Sequence, residues 1–590
     1  MILTILGLIV LSLPFSAITC FESRLKGFFL IFASSSIFGL LVAIITQALG
    51  LFTYNIVLIA WLTYSLCFLY LAIKKGRKFK AFKINWFTIF AFGIIFYFLL
   101  SLHYNYTGVV GTISGVKYVT QSSYQYPMYS DEWVAVSLID YTIENKSLPL
   151  VNPLNKNTPF PNFLFGFHSF LALVMLLLNL SPLTHYVWLA ILNGLFTCFC
   201  VYFLLRLNKV SSFASTLSAI SIPFITNSGN LAGIWYLLPY NLSLSYLFVA
   251  MVGFTLGSRL ILNLGLVLSI IIYPPMIVFV APIILGIVIF NNKKIDLKLL
   301  ISKKWMIGIV TTIILIILSI LWMGGLNPIN LFKLIVRERL NEGDVAFAIW
   351  NVLPVFVLPF VFIGVWDIYK RRINYILFPI IVGLIFWSVY MFLTFNLIIT
   401  QTRIVSITSI FLIISAGFGV HWLCSHLRYK LFYGFKCPNT TGFKIGILFI
   451  LIVFTLFYPH VSPWHKLVLV KVGVGDDIQK YTPSPPITRY LIEDDLNLFA
   501  SIKDKRFISL PWKGLAIAVA TGNYPLDSKS STITNKILNY GDFANADCSQ
   551  KLNYANKFKI DYAYTKAFSC PNFSEIGRSS ENLVLYKMIK

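Results

Sequence analysis

The sequence predicts a polytopic α-helical membrane protein that ends in a soluble α/β domain. Its 590 residues are 58% hydrophobic and only 12% charged, whereas soluble domains carry roughly a quarter charged residues. Apolar runs of about 18 or more residues, long enough to cross a bilayer, recur from Ile2 to Pro459. After His460 the chain holds 17 basic and 12 acidic residues and short β-like runs such as RFISL and NLVLYKMI, a pattern typical of a small α/β domain.

The apolar runs predict a bundle of about 14 membrane-spanning helices. They lie near residues 2–19, 27–49, 51–73, 85–103, 183–206, 212–229, 240–257, 260–273, 275–291, 304–323, 346–368, 374–396, 404–424 and 443–460. The first run lacks a basic n-region and a small-residue cleavage site, so it is interpreted as a retained span rather than a signal peptide. The two short runs around Tyr273-Pro274-Pro275 are interpreted either as two spans or as one span with a proline break.

The basic residues predict the orientation of the bundle in the cell membrane. They produce a net charge of +25 and cluster between apolar runs, most densely from Lys74 to Lys83, which the positive-inside rule places in the cytoplasm. This distribution accounts for the charge without a nucleic-acid partner. The loop from Tyr104 to Phe163 and the C-terminal tail then lie outside. Counting Leu164–Leu180 as a span would put Arg206 and Lys209 outside, so this run is predicted to be a short helix at the outer leaflet.

The charge and hydropathy patterns divide the chain into four predicted regions. Residues 1–103 hold N-terminal transmembrane helices, residues 104–182 an outer loop with an acidic motif and a juxtamembrane helix, residues 183–460 the transmembrane bundle, and residues 461–590 an extracytoplasmic soluble α/β domain.

An acidic stretch, PMYSDEWVAVSLIDYTIENKSLPLVNP, stands out in the outer loop. It contains four acids in an otherwise apolar region: Asp131, Glu132, Asp140 and Glu144. Ser130 is a natural N-cap, and acids in the first turn suit the helix dipole. The residues that follow have an apolar face at helical spacing. An interfacial amphipathic helix explains the whole pattern, and the working end of an enzyme is the other interpretation.

The order of these features resembles the GT-C superfamily of membrane glycosyltransferases, in particular its arabinosyl/mannosyltransferase-like and oligosaccharyltransferase-like group. The resemblance comes from an early span, the Asp-Glu pair in DEWVAVSLIDYTIENKSLPLVNP, the proline-flanked segment NTPFPNFLFGFHSF, a juxtamembrane helix, a hydrophobic bundle and an outer C-terminal domain. The first three spans are not part of that pattern.

The resemblance implies that a sugar moves from a polyprenyl phosphate or pyrophosphate donor to a glycan, lipid or protein acceptor at the outer membrane face, with inversion. Asp131 matches the acidic position of the family and is predicted to be the general base. Glu132 is predicted to be an alternative base or an orienting group. Trp133 and His168 are predicted to line the substrate site, although a lone histidine at such a place is often structural.

The leaving lipid phosphate needs a cation more than it needs a proton. Arg403, in IITQTRIVSITSIF, begins a late span at its outer end in an otherwise uncharged stretch. Its guanidinium suits a phosphate, or it snorkels to the interface. Arg337 and Arg339 are further candidates for binding the donor phosphate, but they could instead pair with Glu338, Glu342 and Asp344 on a loop helix.

Cofactor and cysteine patterns add little to these expectations. The outer loop TNSGNLAGIWYLLPYN contains no acid, so a divalent metal is possible but not supported, and no other cofactor is firmly implied. Cys548 and Cys570 lie in the outer tail and either pair or remain thiols.

The alternative function is a multi-pass transporter or a lipid flippase. The broken segment IIYPPMIV is typical of transporters. Charged residues inside the spans are nearly absent, whereas transporters of charged substrates normally retain them.

Overall fold

The computed structural model describes residues 2–20, 23–74, 86–112, 115–155, 158–160, 162–225, 233–290, 336–338, 352–353, 357–393, 395–397, 399–430, 487–528 and 535–589. The predicted spans at 304–323 and 443–460 and the candidate Arg339 lie outside these residues.

The described chain before residue 431 is mainly helical and apolar. Its helices are α1 (Ile2–Ser12), α2 (Arg24–Ala48), α3 (Tyr54–Lys74), α4 (Trp86–Ser101), α5 (Ser130–Asn145), α6 (Phe165–Leu178), α7 (Pro182–Leu207), α8 (Ser212–Ser221), α9 (Pro239–Thr255), α10 (Arg259–Ile272), α11 (Ile277–Phe290), α12 (Leu358–Lys370), α13 (Asn374–Leu393) and α14 (Gln401–Lys430).

Five stretches of these helices are long and apolar enough to cross a membrane. They are Arg24–Ala48, Tyr54–Leu71, Pro182–Leu207, Asn374–Phe392 and Gln401–His426. The chain is therefore a helical membrane protein, while the total of about 14 spans stays a prediction. Helix α6 has 14 residues and rises about 21 Å, less than the roughly 30 Å hydrocarbon core of a bilayer.

A proline pair interrupts the bundle between α10 and α11. Helix α10 ends at Ile272, and a 3₁₀ turn follows at Pro274–Met276. Proline lacks an N–H and restricts the residue before it, so the helix cannot continue through this pair. Tyr273 therefore lies at the break with a non-helical backbone.

The segment between α4 and α5 contains a hairpin that the C-terminal region joins. Strands β1 (Tyr106–Thr112) and β2 (Gly115–Ser122) are antiparallel. Two short hairpin strands follow α5, β3 (Val151–Asn152) and β4 (Thr158–Pro159), and the pair β5 (Val336–Glu338) and β6 (Phe395–Leu397) lies later in the chain. Strand β7 (Ile487–Thr488) runs parallel to β1. The hairpin before α5 and the C-terminal region thus share one sheet.

The C-terminal region is an α/β unit around a five-stranded mixed sheet. The strand order is β13 (Phe573–Arg578), β14 (Leu583–Met588), β12 (Tyr562–Lys566), β8 (Arg506–Ser509) and β9 (Tyr524–Pro525). A two-stranded pair is formed by β10 (Asp527–Ser528) and β11 (Asn535–Lys536). The helices are α15 (Glu493–Phe499), α16 (Pro511–Thr521), α17 (Tyr540–Asn545) and α18 (Cys548–Phe558). A disulfide joins Cys548 to Cys570, with the Cα atoms 5.4 Å apart.

One hydrophobic core joins this unit to the acidic helix α5. Trp133, Val134 and Leu138 of α5 pack with Leu491 and Leu515 of the C-terminal region. All five side chains are almost completely buried, and burial of a large apolar side chain contributes about 1.5–3 kcal/mol. The C-terminal unit therefore fixes the position of α5 against the bundle.

Candidate active site

Helix α5 begins one residue earlier than a Ser130 N-cap would allow. Tyr129 is the N-cap, with an extended backbone (φ −124°, ψ 143°), and Ser130 is the first helical residue. The prediction of Ser130 as the cap was therefore wrong. The carboxylate of Glu132 accepts hydrogen bonds from the backbone N–H groups of Met128 and Tyr129, both at 3.2 Å, so Glu132 satisfies donors that the helix start leaves open.

Glu132 also connects α5 to the segment that leads into α9. Its second oxygen accepts the backbone N–H of Leu237 at 2.8 Å, and the Leu237 carbonyl accepts the hydroxyl of Tyr186. Glu132 is 3% exposed. Burial raises its pKa to about 7, although the three backbone hydrogen bonds act in the opposite direction. Both oxygens of Glu132 thus accept backbone hydrogen bonds, which connect the start of α5 to the segment before α9.

Asp131 lies next to Glu132 in the first turn and points elsewhere, because successive helical residues differ by about 100°. Its Oδ2 is 3.5 Å from Nη2 of Arg403, and the two side chains are only 10% and 21% exposed. The two residues that the sequence singled out for base and cation are thus adjacent. At this separation in a partly buried place, opposite charges attract more strongly than they would in bulk water.

Arg403 is held by groups that the sequence analysis did not single out. Its Nη1 donates a hydrogen bond to the hydroxyl of Tyr273 at 3.0 Å, and its guanidinium carbon is 5.5 Å and 5.8 Å from the ring centres of Tyr273 and Tyr240. Both rings are within cation–π range. Tyr273 reaches Arg403 from the proline break. The only available signal in the sequence was this tyrosine immediately before Pro274-Pro275.

Further tyrosines lie near the pair. The rings of Tyr129 and Tyr236 are 5.4 Å apart, and Tyr490 of the C-terminal region stacks on Trp512 at 5.9 Å. Burial, with the negative charge of Asp131 as a further contribution, raises the pKa of Tyr490 to about 12. These side chains come from the outer loop, the bundle and the C-terminal region, so the pair lies where all three meet.

The other predicted site residues are less accessible to a substrate or lie outside the Asp131–Arg403 contact. His168 is 3% exposed and bonded to Asn162, and Trp133 is completely buried, so a substrate could reach either one only after a rearrangement. The backbone of Arg337 pairs with Asn396, shortly before Arg403 in the chain. Asp140 is partly buried and Glu144 is exposed. Among the described residues, no group of three His, Cys, Asp or Glu side chains could hold a metal ion.

The arrangement defines a class of site: a carboxylate and a guanidinium, both largely withdrawn from water, at the end of a membrane helix bundle beneath an α/β unit. No family model matches the chain, and no curated protein matches it.

Among solved structures, the chain is similar to the archaeal oligosaccharyltransferase AglB from Archaeoglobus fulgidus in complex with an inhibitory peptide and a dolichol-phosphate. The identity is 13%, 82% of this chain and 69% of that chain are covered, and the TM-score is 0.43. The apo form of the Archaeoglobus fulgidus oligosaccharyltransferase gives 13% identity, coverage of 82% and 70%, and a TM-score of 0.45.

Proposed function

We propose that this protein is a GT-C-type glycosyltransferase that moves a sugar from a polyprenyl-phosphate-linked donor to an acceptor at the outer membrane face. The observation that carries the proposal is the Asp131–Arg403 pair, with 3.5 Å between Oδ2 and Nη2. A base for the incoming nucleophile and a cation for the departing phosphate are the two groups that this reaction needs, and here they are adjacent.

Arg403 is suited to bind the phosphate of the donor. A guanidinium presents five N–H donors in a planar fork, and in this structure Nη1 donates to Tyr273 while Nη2 lies beside Asp131. A phosphate that arrives at this site competes with Asp131 for the guanidinium. Binding of the donor would therefore hold the phosphate and release the carboxylate of Asp131 from its ion pair.

The released carboxylate would act on the acceptor. The acceptor heteroatom attacks the anomeric carbon while its proton passes to Asp131. The bond between the anomeric carbon and the phosphate oxygen breaks, and its electrons leave with the phosphate, whose growing negative charge Arg403 stabilises. A single displacement of this kind inverts the configuration at the anomeric carbon. Glu132 would orient Asp131 indirectly, by fixing the first turn of α5 to Leu237.

The outer face is the proposed location of this chemistry. The predicted topology puts the loop that carries α5 on the side opposite to the basic cluster Lys74–Lys83. The C-terminal α/β unit, which packs on α5, would then be extracytoplasmic. The acceptor is a glycan, lipid or protein that approaches from this side.

Removal of the protein from its native cells tests the proposal. A polyprenyl-linked saccharide should accumulate on the outer face, where an impermeant glycosidase or lectin can reach it, and the wild-type gene should reverse the accumulation. If the saccharide accumulated only on the inner face, the protein would be a flippase. If no lipid-linked saccharide accumulated, the glycosyltransferase proposal would be wrong.

A further inference from the structure

A cavity of about 680 Å³ lies among helices α2, α4, α6, α7 and α9; its lining includes Leu237, the backbone partner of Glu132, but neither Asp131 nor Arg403. Its walls are mainly aromatic and aliphatic, and they include Phe28, Phe32, Phe92, Phe170, Phe196 and Phe199. The rings contact one another across helices, as between Phe32 of α2 and Phe196 of α7, with centres 4.3 Å apart. This size falls within the range of cavities that bind small molecules.

Most polar side chains of the wall are engaged with protein groups. Thr88 donates to the hydroxyl of Tyr202 at 3.4 Å, and Tyr246 donates to Ser36 at 2.8 Å. Asn193 accepts a hydrogen bond from Ser245 at 2.9 Å, and its buried Nδ2 has no hydrogen-bond partner among the described residues. Apart from this amide nitrogen the cavity offers a ligand mainly carbon surface, so most of a polar ligand would lose its hydrogen bonds to water without replacement.

The cavity is elongated. One stripe of α7 lines it from Leu189 to Phe203, a rise of about 21 Å at 1.5 Å per residue. An apolar cavity that follows a helix over this length suits an extended hydrocarbon chain whose carbons contact the wall at about 3.5–4 Å.

The cavity is continuous with the apolar outer surface of the bundle. Ile89 of α4 and Leu192 of α7 line it and are nevertheless 48% and 53% exposed. The neighbouring exposed side chains of α4 are also large and apolar, namely Trp86, Phe90, Ile94 and Tyr97. In a membrane protein, such a surface meets lipid, so a chain from the bilayer can enter between α4 and α7.

The cavity and the candidate active site lie on opposite faces of α9. Tyr240 and Phe248 contact Arg403 and Phe411 of α14, whereas Leu242 and Tyr246 line the cavity. At about 100° per residue, these two pairs point in nearly opposite directions. The hydrocarbon tail of a donor held at Arg403 would have to pass around α9 to enter the cavity, which favours a second, separate lipid.

We propose that this cavity binds one acyl chain of a bilayer glycerolipid, which fills the space between α2 and the α4–α7 pair as a constitutive part of the folded bundle. The inference does not rest on the proposed transfer reaction. An empty apolar cavity of this size would cost stability, and the lipid removes that cost by replacing absent side-chain contacts. The fold should therefore depend on lipid even when no donor is present.

Photolabelling of the full chain in lipid nanodiscs tests the inference. The probe is a phosphatidylglycerol with a diazirine midway along one acyl chain, and the labelled peptides are identified by mass spectrometry. Label is expected in α7 and α2, around Phe196 and Phe32. Leu189→Trp, which fills the cavity, should reduce this label at least tenfold, whereas Ile94→Trp, on the exposed surface outside the cavity, should leave it unchanged.

Val174→Phe serves as a second filling variant if Leu189→Trp does not fold. Label confined to the exposed face of α4, or label that both filling variants leave unchanged, would overturn the inference. Loss of the label on addition of polyprenyl phosphate would also overturn it, because the cavity would then belong to the donor. The labelling is independent of catalysis, so its failure would leave the Asp131–Arg403 proposal intact.

Discussion

The guanidinium of Arg403 lies 3.5 Å from the carboxylate of Asp131, although Asp131 is in the first turn of α5 and Arg403 is in the first turn of the distant membrane helix α14. Both side chains are largely buried. A structural ion pair and a catalytic pair look alike in such a contact, so variants must distinguish them.

Replacement of Asp131 by Asn should lower transfer by roughly 10²–10⁴-fold, because the shape is retained while the base is removed. The rate of product formation from purified lipid-linked donor measures the effect. Asp140→Asn, on the same helix, is the matched control and should retain transfer. Equal activity in both variants would reduce the Asp131–Arg403 contact to a structural role.

Replacement of Arg403 by Gln should weaken use of the donor by about 2–4 kcal/mol, the cost of losing a buried charge-assisted contact. Arg403→Lys should recover only part of the lost donor binding, because an ammonium lacks the planar fork. Donor titrations of the three proteins provide the comparison. Tyr273→Phe removes one partner of Arg403 and should have a smaller effect, and unchanged donor kinetics in Arg403→Gln would make Arg403 an interfacial snorkelling residue.

Glu132→Gln should destabilise the fold, by about 1–3 kcal/mol, since both carboxyl oxygens accept backbone N–H groups and the amide nitrogen of Gln would leave at least one of these buried donors without an acceptor. Thermal unfolding in nanodiscs measures this, and Asp131→Asn should unfold much closer to the wild type. If Glu132→Gln retained its stability but lost more transfer than Asp131→Asn, Glu132 would be the base instead.

Asp140 should make stability depend on pH. Burial, and then the charge of Glu144, raises its pKa from 3.8 to about 7, so the native state binds the proton more tightly than the unfolded chain. The stabilisation is complete below about pH 4 and disappears as the pH rises through about 7. Asp140→Asn should therefore raise the unfolding temperature relative to the wild type at pH 8 and change it less at pH 5.

The gain in free energy of unfolding of Asp140→Asn over the wild type should be larger at pH 8 than at pH 5 by on the order of 1–2 kcal/mol. Solvent screening keeps this value small because Asp140 is partly exposed. Glu144→Gln is the neighbouring control. It should change the pH dependence of stability less, because it removes only the charge of Glu144 and leaves Asp140 buried. A pH-independent difference between Asp140→Asn and the wild type would contradict the assignment.

The orientation of the chain can be tested with an impermeant thiol reagent in intact cells. Lys146→Cys, just after α5, and Asn556→Cys, in α18 of the C-terminal unit, should both be labelled. Lys370→Cys, at the end of α12, should react only after the membrane is opened. Protection of either of the first two positions would reverse the predicted topology.

Sequence alone determined the features that depend on composition and local order. Long apolar runs require helices because backbone groups in lipid must bond within the segment. The charge-rich end predicted an α/β unit, and strands β8 and β14 lie within the runs RFISL and NLVLYKMI. Local spacing also predicted helix α5 and the break before Pro274.

Only the tertiary structure decided which groups the adjacent side chains of Asp131 and Glu132 contact. Asp131 and Glu132 occupy one helical turn, and only the family resemblance favoured Asp131 over Glu132 as the predicted base. Packing of α5 against the Leu237 segment and α14 directs Glu132 to backbone N–H groups and Asp131 to Arg403. Contacts between segments so distant in the chain depend on how helices pack, and local propensity carries no information about them.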